Sequence, residues 1–587
     1  MAAPVGFQVR LRALIFLILF IQTVAVQARD PRATVKNGTY VGVHNSHYGL
    51  DYFLGVPFAQ PPVGNLRLAP PASLNVPFPR TRNATHLQPA CPQFLAATID
   101  RPISEDCLTL NVYRPAGYEN QSLPVLVWIY GGGYDQGSNS DPRYNLTFIV
   151  NNSVRMNKPI IAVALNYRLN GFGFMGGPAI QEQGLANLGL RDQRLALHWI
   201  QENIPSFGGD PSKVTIWGQS AGAGSVGSQL LAYGGRDDSL FRAAIADSGG
   251  PLGFQPPSDA AQLESYNRVL DLTGCADSSD SIACLRAVSS ANFTSAVENS
   301  NGDFGPIYDG DFLQTHSSAQ LANGQFAKVP LLTGSNTDEG TGFVGSSPSV
   351  GALPTTSYPN ATSFLAVVNA SIIEPSLAPA ALAAISVLYP NIPAIGSPHS
   401  HHGLLNSTFG SHYRRVATFS GDNTIHRGRR LTTQTWTKYE TPVYSYLFDQ
   451  WPIGGLPDTT GTTHFTEMQL IQDNELGNGY LAPWYPAGSE FSGMDRSFYA
   501  LARLMSRMWI AFVHDLDPNE HGIHEYNGHA IPEWTPYATN ASDALNGYGS
   551  NLRFLSTLPG LAEVQADTWR AEAIHYLNEN SYTLFGT

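Results

Sequence analysis

Gly218-Gln219-Ser220-Ala221-Gly222 is the segment with the plainest chemical potential. It follows the apolar run Val214-Thr215-Ile216-Trp217 and opens a small-residue stretch, Ala221 to Leu231, that reads as a helix. A serine on a sharp strand-to-helix turn, between glycines that tolerate the turn, projects its Oγ as a nucleophile for acyl transfer. The start of the following helix adds positive potential beside it. With 56 glycines in the chain, a bare Gly-x-Ser-x-Gly carries little weight. The flanking strand and helix give it meaning.

A serine is a weak nucleophile at neutral pH. It needs a histidine to take its proton and a carboxylate to orient that histidine. For a serine placed this way the chain order is serine, acid, histidine. Asn336-Thr337-Asp338-Glu339-Gly340-Thr341 follows the strand-like Val329 to Gly334, so Asp338 and Glu339 are both well placed. His464 lies in Gly461-Thr462-Thr463-His464-Phe465-Thr466-Glu467, after the apolar run Val443 to Phe448. Sixteen histidines are present, so spacing alone does not single it out. Upstream, Gly131-Gly132-Gly133 closes the run Val125 to Tyr130. Glycines there let backbone N–H groups turn toward a substrate oxygen. Gly132 and Gly133, with the N–H of Ala221, form the expected oxyanion hole. One such donor contributes ~3–4 kcal/mol to transition-state stabilisation.

These groups need a frame. Val125–Tyr130, Ile160–Leu165, Val214–Trp217 and Ala243–Ala246 are short runs apolar on both faces, as buried strands are. Between them, Leu190 to Ile204 repeats its apolar residues at helical spacing and stops at Pro205. Strands alternating with helices predict an α/β architecture, a mostly parallel sheet covered on both faces. The stretch Ser346 to Pro359 reads as a surface excursion.

The 587 residues are 43% hydrophobic and 11% aromatic, enough for a large core. Only 13% are charged, and the net charge is −13. An acidic chain without a basic stripe predicts no nucleic-acid partner. At the N-terminus Arg10 and Arg12 precede a short apolar run from Ala13 to Ile21, with small residues at Val26 and Ala28. That layout predicts a signal peptide over residues 1–28, too short to span a bilayer, and hence no stable membrane insertion. Tyr582 to Thr587 is expected to carry neither a lipid anchor nor a retrieval signal. Asn-x-Ser/Thr occurs at Asn37, Asn83, Asn120, Asn145, Asn151, Asn292, Asn360, Asn369, Asn406 and Asn540. These are candidate glycosylation sites on exposed loops of a secreted protein. Four cysteines suit two structural bridges. His521, His524 and His529 sit in a Gly/Asn-rich loop, and His399, His401 and His402 form a second group. Neither has the framework of a metal site, so both are expected to be ordinary surface histidines and no metal is expected. No phosphate-binding loop or dinucleotide fingerprint appears, and the chemistry above needs no cofactor.

Beyond these motifs, the chain resembles the type-B carboxylesterase/lipase family, the cholinesterase-like α/β-hydrolases, and is most similar to secreted fungal members. The resemblance rests on the segment from Phe53 to Arg67, on Ser104-Glu105-Asp106-Cys107-Leu108-Thr109-Leu110-Asn111-Val112, on Asn166 to Phe174, and on the elbow itself. It runs from about Tyr40 to Phe585. It implies an α/β-hydrolase fold over a single domain, residues 29–587, with insertions that wall a substrate gorge. It implies Glu339 as the acid, His464 as the base and Ser220 as the nucleophile of a carboxylic ester hydrolase. It also implies disulfides Cys91–Cys107 and Cys275–Cys284, and buried ion pairs Arg67–Glu105 and Arg168–Asp192.

Two departures bear on substrate. Cholinesterases have a glutamate before the nucleophile and a tryptophan between the first two cysteines. This chain has Gln219, and no tryptophan between Pro92 and Asp106. A quaternary ammonium would lack both the charge and the aromatic face it uses. In lipases that resemble this chain, the loop between those cysteines is a longer apolar flap. Here 15 residues separate Cys91 from Cys107, including Phe94, Leu95 and Ile99 but also Asp100, Arg101 and Glu105. A short, partly charged loop favours an esterase acting on small-molecule esters over a lipase acting on lipid-like esters at interfaces. The third reading, a non-catalytic binding protein, fits poorly with a complete Ser, Glu and His set.

Overall fold

The computed structural model describes residues 30–74, 76–93, 102–253, 255–344, 356–399, 407–451, 460–480, 491, 493–538 and 548–587. The leader 1–28, most of the stretch 346–359, the loop residues Phe94, Leu95, Ile99, Asp100 and Arg101, and Asn406, Asn540, His401 and His402 lie outside the described residues.

Eleven strands form one sheet. In chain order they are β1 (Val43–Asn45), β2 (Leu50–Pro57), β3 (Thr109–Pro115), β4 (Leu123–Ile129), β5 (Ile161–Leu165) and β6 (Gly209–Gln219). They continue with β7 (Ala243–Asp247), β8 (Leu331–Asn336), β9 (Val443–Phe448), β10 (Ser550–Phe554) and β11 (Ala562–Ala566). Their spatial order is β1-β2-β3-β5-β4-β6-β7-β8-β9-β10-β11. The strands from β5 through β10 pair in parallel. The two flanks, β1-β2-β3-β5 and β10-β11, pair antiparallel. The fold is the α/β-hydrolase fold, as the resemblance implies.

The parallel strands are buried because helices cover both faces. Every residue of β4, β5, β7, β8 and β9 is buried, which is why they read as continuous apolar runs. Trp128 on β4 pairs in register with Trp217 on β6. Their rings meet edge-on with centroids 4.5 Å apart, fixing the middle of the core. Helix α1 (Leu188–Asn203) carries the predicted periodicity and runs into a 3-10 turn at Ile204–Phe207, where Pro205 stands. Helix α2 (Ala221–Gly235) leaves helical geometry at Ala232.

Both disulfides join the cysteines that the resemblance pairs, Cys91 with Cys107 and Cys275 with Cys284. The first loop is tied down by Arg67. Its Nε and Nη2 both lie 2.7 Å from Glu105, and its Nη1 donates to the carbonyls of Leu285 and Val288. Arg168 holds Asp192 in the same two-pronged way, at 2.8 and 2.6 Å. A planar guanidinium matches two carboxylate oxygens at once, which is how such pairs offset their burial.

Among the glycosylation candidates, Asn83, Asn120, Asn292, Asn360 and Asn369 are exposed, and Asn145 and Asn151 are half-buried. Asn37 departs from the expectation of an exposed acceptor. It turns the hairpin Arg32–Val35/Gly38–Val41 and is buried. Its Nδ2 donates to the carbonyls of Leu74, at 2.6 Å, and Val76. A glycan on that nitrogen would break the packing that buries it.

The Arg67 pair yields a prediction. Glu105→Ala leaves a buried guanidinium without its counter-charge and should cost about 3–5 kcal/mol. Thermal unfolding against wild type measures it. A variant that melts with wild type would show that the backbone carbonyls around Arg67 suffice.

Candidate active site

Strands β6, β7, β8 and β9 are adjacent and parallel, so their C-terminal ends share one edge of the sheet. Ser220 follows β6, Ser248 follows β7, Glu339 lies three residues beyond the end of β8, and His464 lies on the long segment after β9. Open α/β sheets gather their chemistry at such an edge.

Ser220 has φ 58° and ψ −128°. This left-handed strain at a non-glycine residue marks an elbow. Its N–H donates to the Asp247 carbonyl at 3.0 Å. The turn closes tightly. A Cβ on Gly222 would sit 2.1 Å from the Ile129 carbonyl oxygen, and one on Gly218 would sit 2.3 Å from the Gly222 backbone. The loop after β4 lies against the same turn, since a Cβ on Gly131 would come within 2.9 Å of the Ser220 Cβ. Gly132 has φ 106°, open only to glycine without strain. The backbone of Gly132 and Gly133 therefore runs beside the start of α2, where Ala221 stands.

The His464 ring joins the serine to the acid. Its Nε2 lies 2.7 Å from Ser220 Oγ and its Nδ1 lies 2.5 Å from Glu339 Oε2. All three side chains are buried. Phe343 packs on the imidazole with centroids 4.8 Å apart. Of the two adjacent acids, Glu339 faces the imidazole. Asp338 turns away to accept from the backbone N–H of His399 at 2.6 Å and of Thr462 at 3.2 Å. It anchors the segment that carries His464 and does not touch the imidazole. Asn336 Nδ2 adds a second tether, to the Thr463 carbonyl at 2.9 Å.

Beneath the histidine lies a network that motif reading did not assign. Glu339 Oε1 accepts from the Asn336 N–H at 2.7 Å and from Ser248 Oγ at 2.6 Å. Glu467 approaches from the other side. Its Oε1 is 3.3 Å from Ser248 Oγ, and its Oε2 accepts from Asn336 Nδ2 at 2.5 Å. Burial pushes Glu467 well above the usual carboxylate range, and the nearby Glu339 and Asp247 carboxylates push it the same way. Glu467 therefore favours its protonated form. Ser248 has one hydrogen to give, which goes to the nearer Glu339. Its oxygen accepts from protonated Glu467. The only signal for this was Glu467 itself, three residues after His464; Ser248 and Asn336 had none.

Two further acids lie close by. Asp247 accepts from Trp217 Nε1 at 2.5 Å and from Tyr446 OH at 3.0 Å, and burial pushes it up to about 7. Burial likewise pushes Asp338 up to about 7. Asp135, just past the glycine loop, is pushed up to about 7 by burial and by Asp303.

Of the histidines weighed as metal sites, His521 departs from the expected surface position: it is buried, and its Nδ1 accepts from the Ile523 N–H at 3.1 Å. The backbone of His399 serves Asp338. Among the described residues no helix is long and apolar enough to cross a membrane.

Comparison with known proteins gives concordant matches. The profile of the carboxylesterase family matches residues 29–551. The chain is 36% identical over 551 residues to a secreted triacylglycerol lipase, LIP1, of Gibberella zeae, covering 87% of this chain and 86% of that one. It is 32% identical over 595 residues to secreted lipase 1 of Botryotinia fuckeliana, covering 94% of each. Among solved structures, Aspergillus niger EstA superposes with a TM-score of 0.77 at 26% identity, covering 95% of this chain and 99% of that one.

The buried acids set a pH dependence of stability. A carboxyl near 7 in the folded chain and near 4 unfolded binds more protons folded than unfolded between those values. Stability contributed by Asp247, Asp338 and Asp135 should thus fall as pH rises from about 4 to about 7. The melting temperature should be higher at mildly acidic than at mildly alkaline pH, and Asp338→Asn should narrow that gap. A melting temperature that climbs steadily with pH would contradict the burial argument.

Proposed function

Since the chain belongs to the carboxylesterase family and is a carboxylic ester hydrolase, we propose that it works through a Ser220–His464–Glu339 triad and an acyl-enzyme intermediate. One observation carries this reading: the unbroken hydrogen-bond line from Ser220 Oγ through His464 to Glu339, over distances of 2.7 and 2.5 Å.

His464 Nε2 takes the Ser220 proton as Oγ attacks the ester carbonyl carbon. The carbonyl oxygen becomes an oxyanion, held by the N–H groups of Gly132, Gly133 and Ala221. Glu339 keeps Nδ1 protonated and stabilises the imidazolium. The intermediate collapses, the C–O bond to the alcohol breaks, and His464 returns its proton to the leaving oxygen. Water then repeats the sequence on the acyl-serine, releasing the acid and restoring Ser220. The proton on Glu467 removes one negative charge from beneath the histidine, so the two glutamates do not repel.

Residues 1–28 are a signal peptide in this reading, and 29–587 form one hydrolase domain that acts outside the cell. Its two disulfides and the secreted relatives support that location. The substrates are esters with no demand for a quaternary ammonium group. The short, partly charged loop between Cys91 and Cys107 favours soluble esters. A second reading, a lipase acting on triacylglycerol at interfaces, is favoured by what the Gibberella relative is called.

Hydrolysis of p-nitrophenyl esters from acetyl to palmitoyl, beside a tributyrin emulsion, tests both readings. The first expects a short-chain optimum on soluble substrate. The second expects a long-chain optimum that rises at the interface. Ser220→Ala should lower kcat by at least about a thousandfold in either case. A folded Ser220→Ala variant with wild-type activity would overturn the triad.

Glu467 gives a sharper check. Glutamine reproduces a neutral, hydrogen-bonding glutamic acid, so Glu467→Gln should keep kcat/KM within about threefold. Glu467→Ala leaves one Asn336 Nδ2 hydrogen without its acceptor and removes one partner of Ser248, and should lose roughly tenfold or more. Equal, large losses in both variants would mean that Glu467 works as an anion.

A further inference from the structure

At the β9–β10–β11 edge, the chain buries more positive than negative charge. The cluster grows from a five-residue π-helical turn, Asp422–His426, that runs into helix α3 (Arg427–Lys438). Such wide turns commonly mark places where a helix is shaped for a ligand. From α3, Arg429 and Arg430 both reach Asp567, just past β11. Arg570 enters from the start of helix α4 (Ala571–Glu579) and pairs with Asp422. Arg429, Arg430, Asp422 and Asp567 are almost wholly buried. Three guanidinium groups thus face two carboxylates. The other carboxylates of these strands, Asp449 and Glu563, are held by Arg553.

Hydrogen bonding exposes the deficit more sharply than charge does. Asp567 is saturated. Its Oδ1 accepts from Arg429 and Arg430, and its Oδ2 accepts from Arg429, Arg430 and the Tyr537 hydroxyl, all between 2.7 and 3.1 Å. Asn551 Oδ1 already accepts from Arg429 Nη1 and Ser445 Oγ. Among the described residues, Arg429 Nε, Arg430 Nη1 and Arg570 Nη1 are buried without an acceptor. All three arginines line one small cavity. Leu447, Ala566 and Ile574 contribute apolar wall, and Gln565 stands exposed at the rim.

A water in that cavity would satisfy the arginines but bring two hydrogens of its own, and the nearby oxygens are taken. An occupant that only accepts, and that carries negative charge, answers both deficits. We propose that this arginine cavity is a binding site for a small monovalent anion such as chloride. Its place among α3, β9, β11 and the start of α4 makes it a structural pin for the C-terminal edge of the sheet. His426, in the same lining, is kept neutral and adds no charge of its own. Burial drives its pKa well below the usual histidine value, and the three arginines drive it the same way.

The test uses the intact protein. Thermal melting is compared in sodium chloride and in sodium gluconate, whose anion is too large for the cavity, at equal ionic strength so that screening is matched. Chloride should raise the melting temperature saturably, by about 2–4 °C. Crystals soaked in bromide should show an anomalous peak within hydrogen-bonding reach of Arg429 Nε, Arg430 Nη1 and Arg570 Nη1. Gln565→Glu, an isosteric change at an exposed position, places a tethered carboxylate at the rim and should blunt the chloride response. Equal melting in the two salts with no bromide peak would overturn the site, leaving at most a water there. A chloride response untouched by Gln565→Glu, with the bromide bound elsewhere, would overturn it equally.

Discussion

The left-handed backbone of Ser220 is the constraint on which the rest of the site depends. A non-glycine residue at φ 58° costs of order 1–3 kcal/mol and persists only where its surroundings over-determine it. Here they do. The residue is held at its N–H by Asp247, on one side by a strand in the middle of eleven, and on the other by a helix whose first turn touches the β4 backbone. If Ser220 relaxed into strand or helix geometry, its Oγ would swing away from His464. The glycines at 218 and 222 are consequences of that strain, because the close contacts that enforce it leave no room for a side chain.

Burying so many acids around one histidine needs an explanation. Glu339, Glu467, Asp247 and Asp338 all lie within the same few strand ends and all are buried. Four carboxylates cannot all be ionised there without large mutual repulsion. The resolution is a division of labour by protonation. Glu467, Asp247 and Asp338 are pushed toward their neutral forms by burial, which turns them into hydrogen-bonding struts. The negative charge is then concentrated where an imidazolium would need it. The same burial that stabilises the site as architecture therefore selects which acid can act.

The sequence made part of this legible. The elbow and the glycine loop stood out because their chemistry needs particular small residues in consecutive positions. The central strands stood out because burial on both faces leaves an unbroken apolar run. The flanks did not. Ala562-Glu563-Val564-Gln565-Ala566 is a half-exposed edge strand, and β2 and β3 form an antiparallel flank that no parallel-strand pattern suggests. Asp338 and Glu339 could not be told apart by spacing, since both follow β8. The family resemblance points to Glu339, and in the structure the 3-10 turn at Glu339–Gly342 begins with the carboxylate that meets His464. Ser248 and Asn336 are ordinary strand-end polar residues until the fold brings three other strands beside them.

The strand order itself explains why Asp338 and Asn336 matter. Ser220 leaves β6 and His464 leaves the far end of β9, three strand spacings away, or roughly 14 Å. Their reactive atoms nonetheless meet at 2.7 Å. The segment after β9 must therefore fold back over the ends of β8 and β7 and stop at a fixed point. A free loop of that length would spread over many positions and rarely hold the imidazole in line. The stop comes from β8, the strand it crosses. Asn336, its last residue, binds the Thr463 carbonyl, and Asp338, two residues on, binds the Thr462 N–H. Glu339, from the same strand end, takes the imidazole. One strand end thus supplies the carboxylate that meets the imidazole and both tethers of the segment that carries it, so Glu339 and His464 are positioned together relative to Ser220. The geometry of the pair is set by β8, and its distance from the nucleophile is set by the register of β6, β7 and β8.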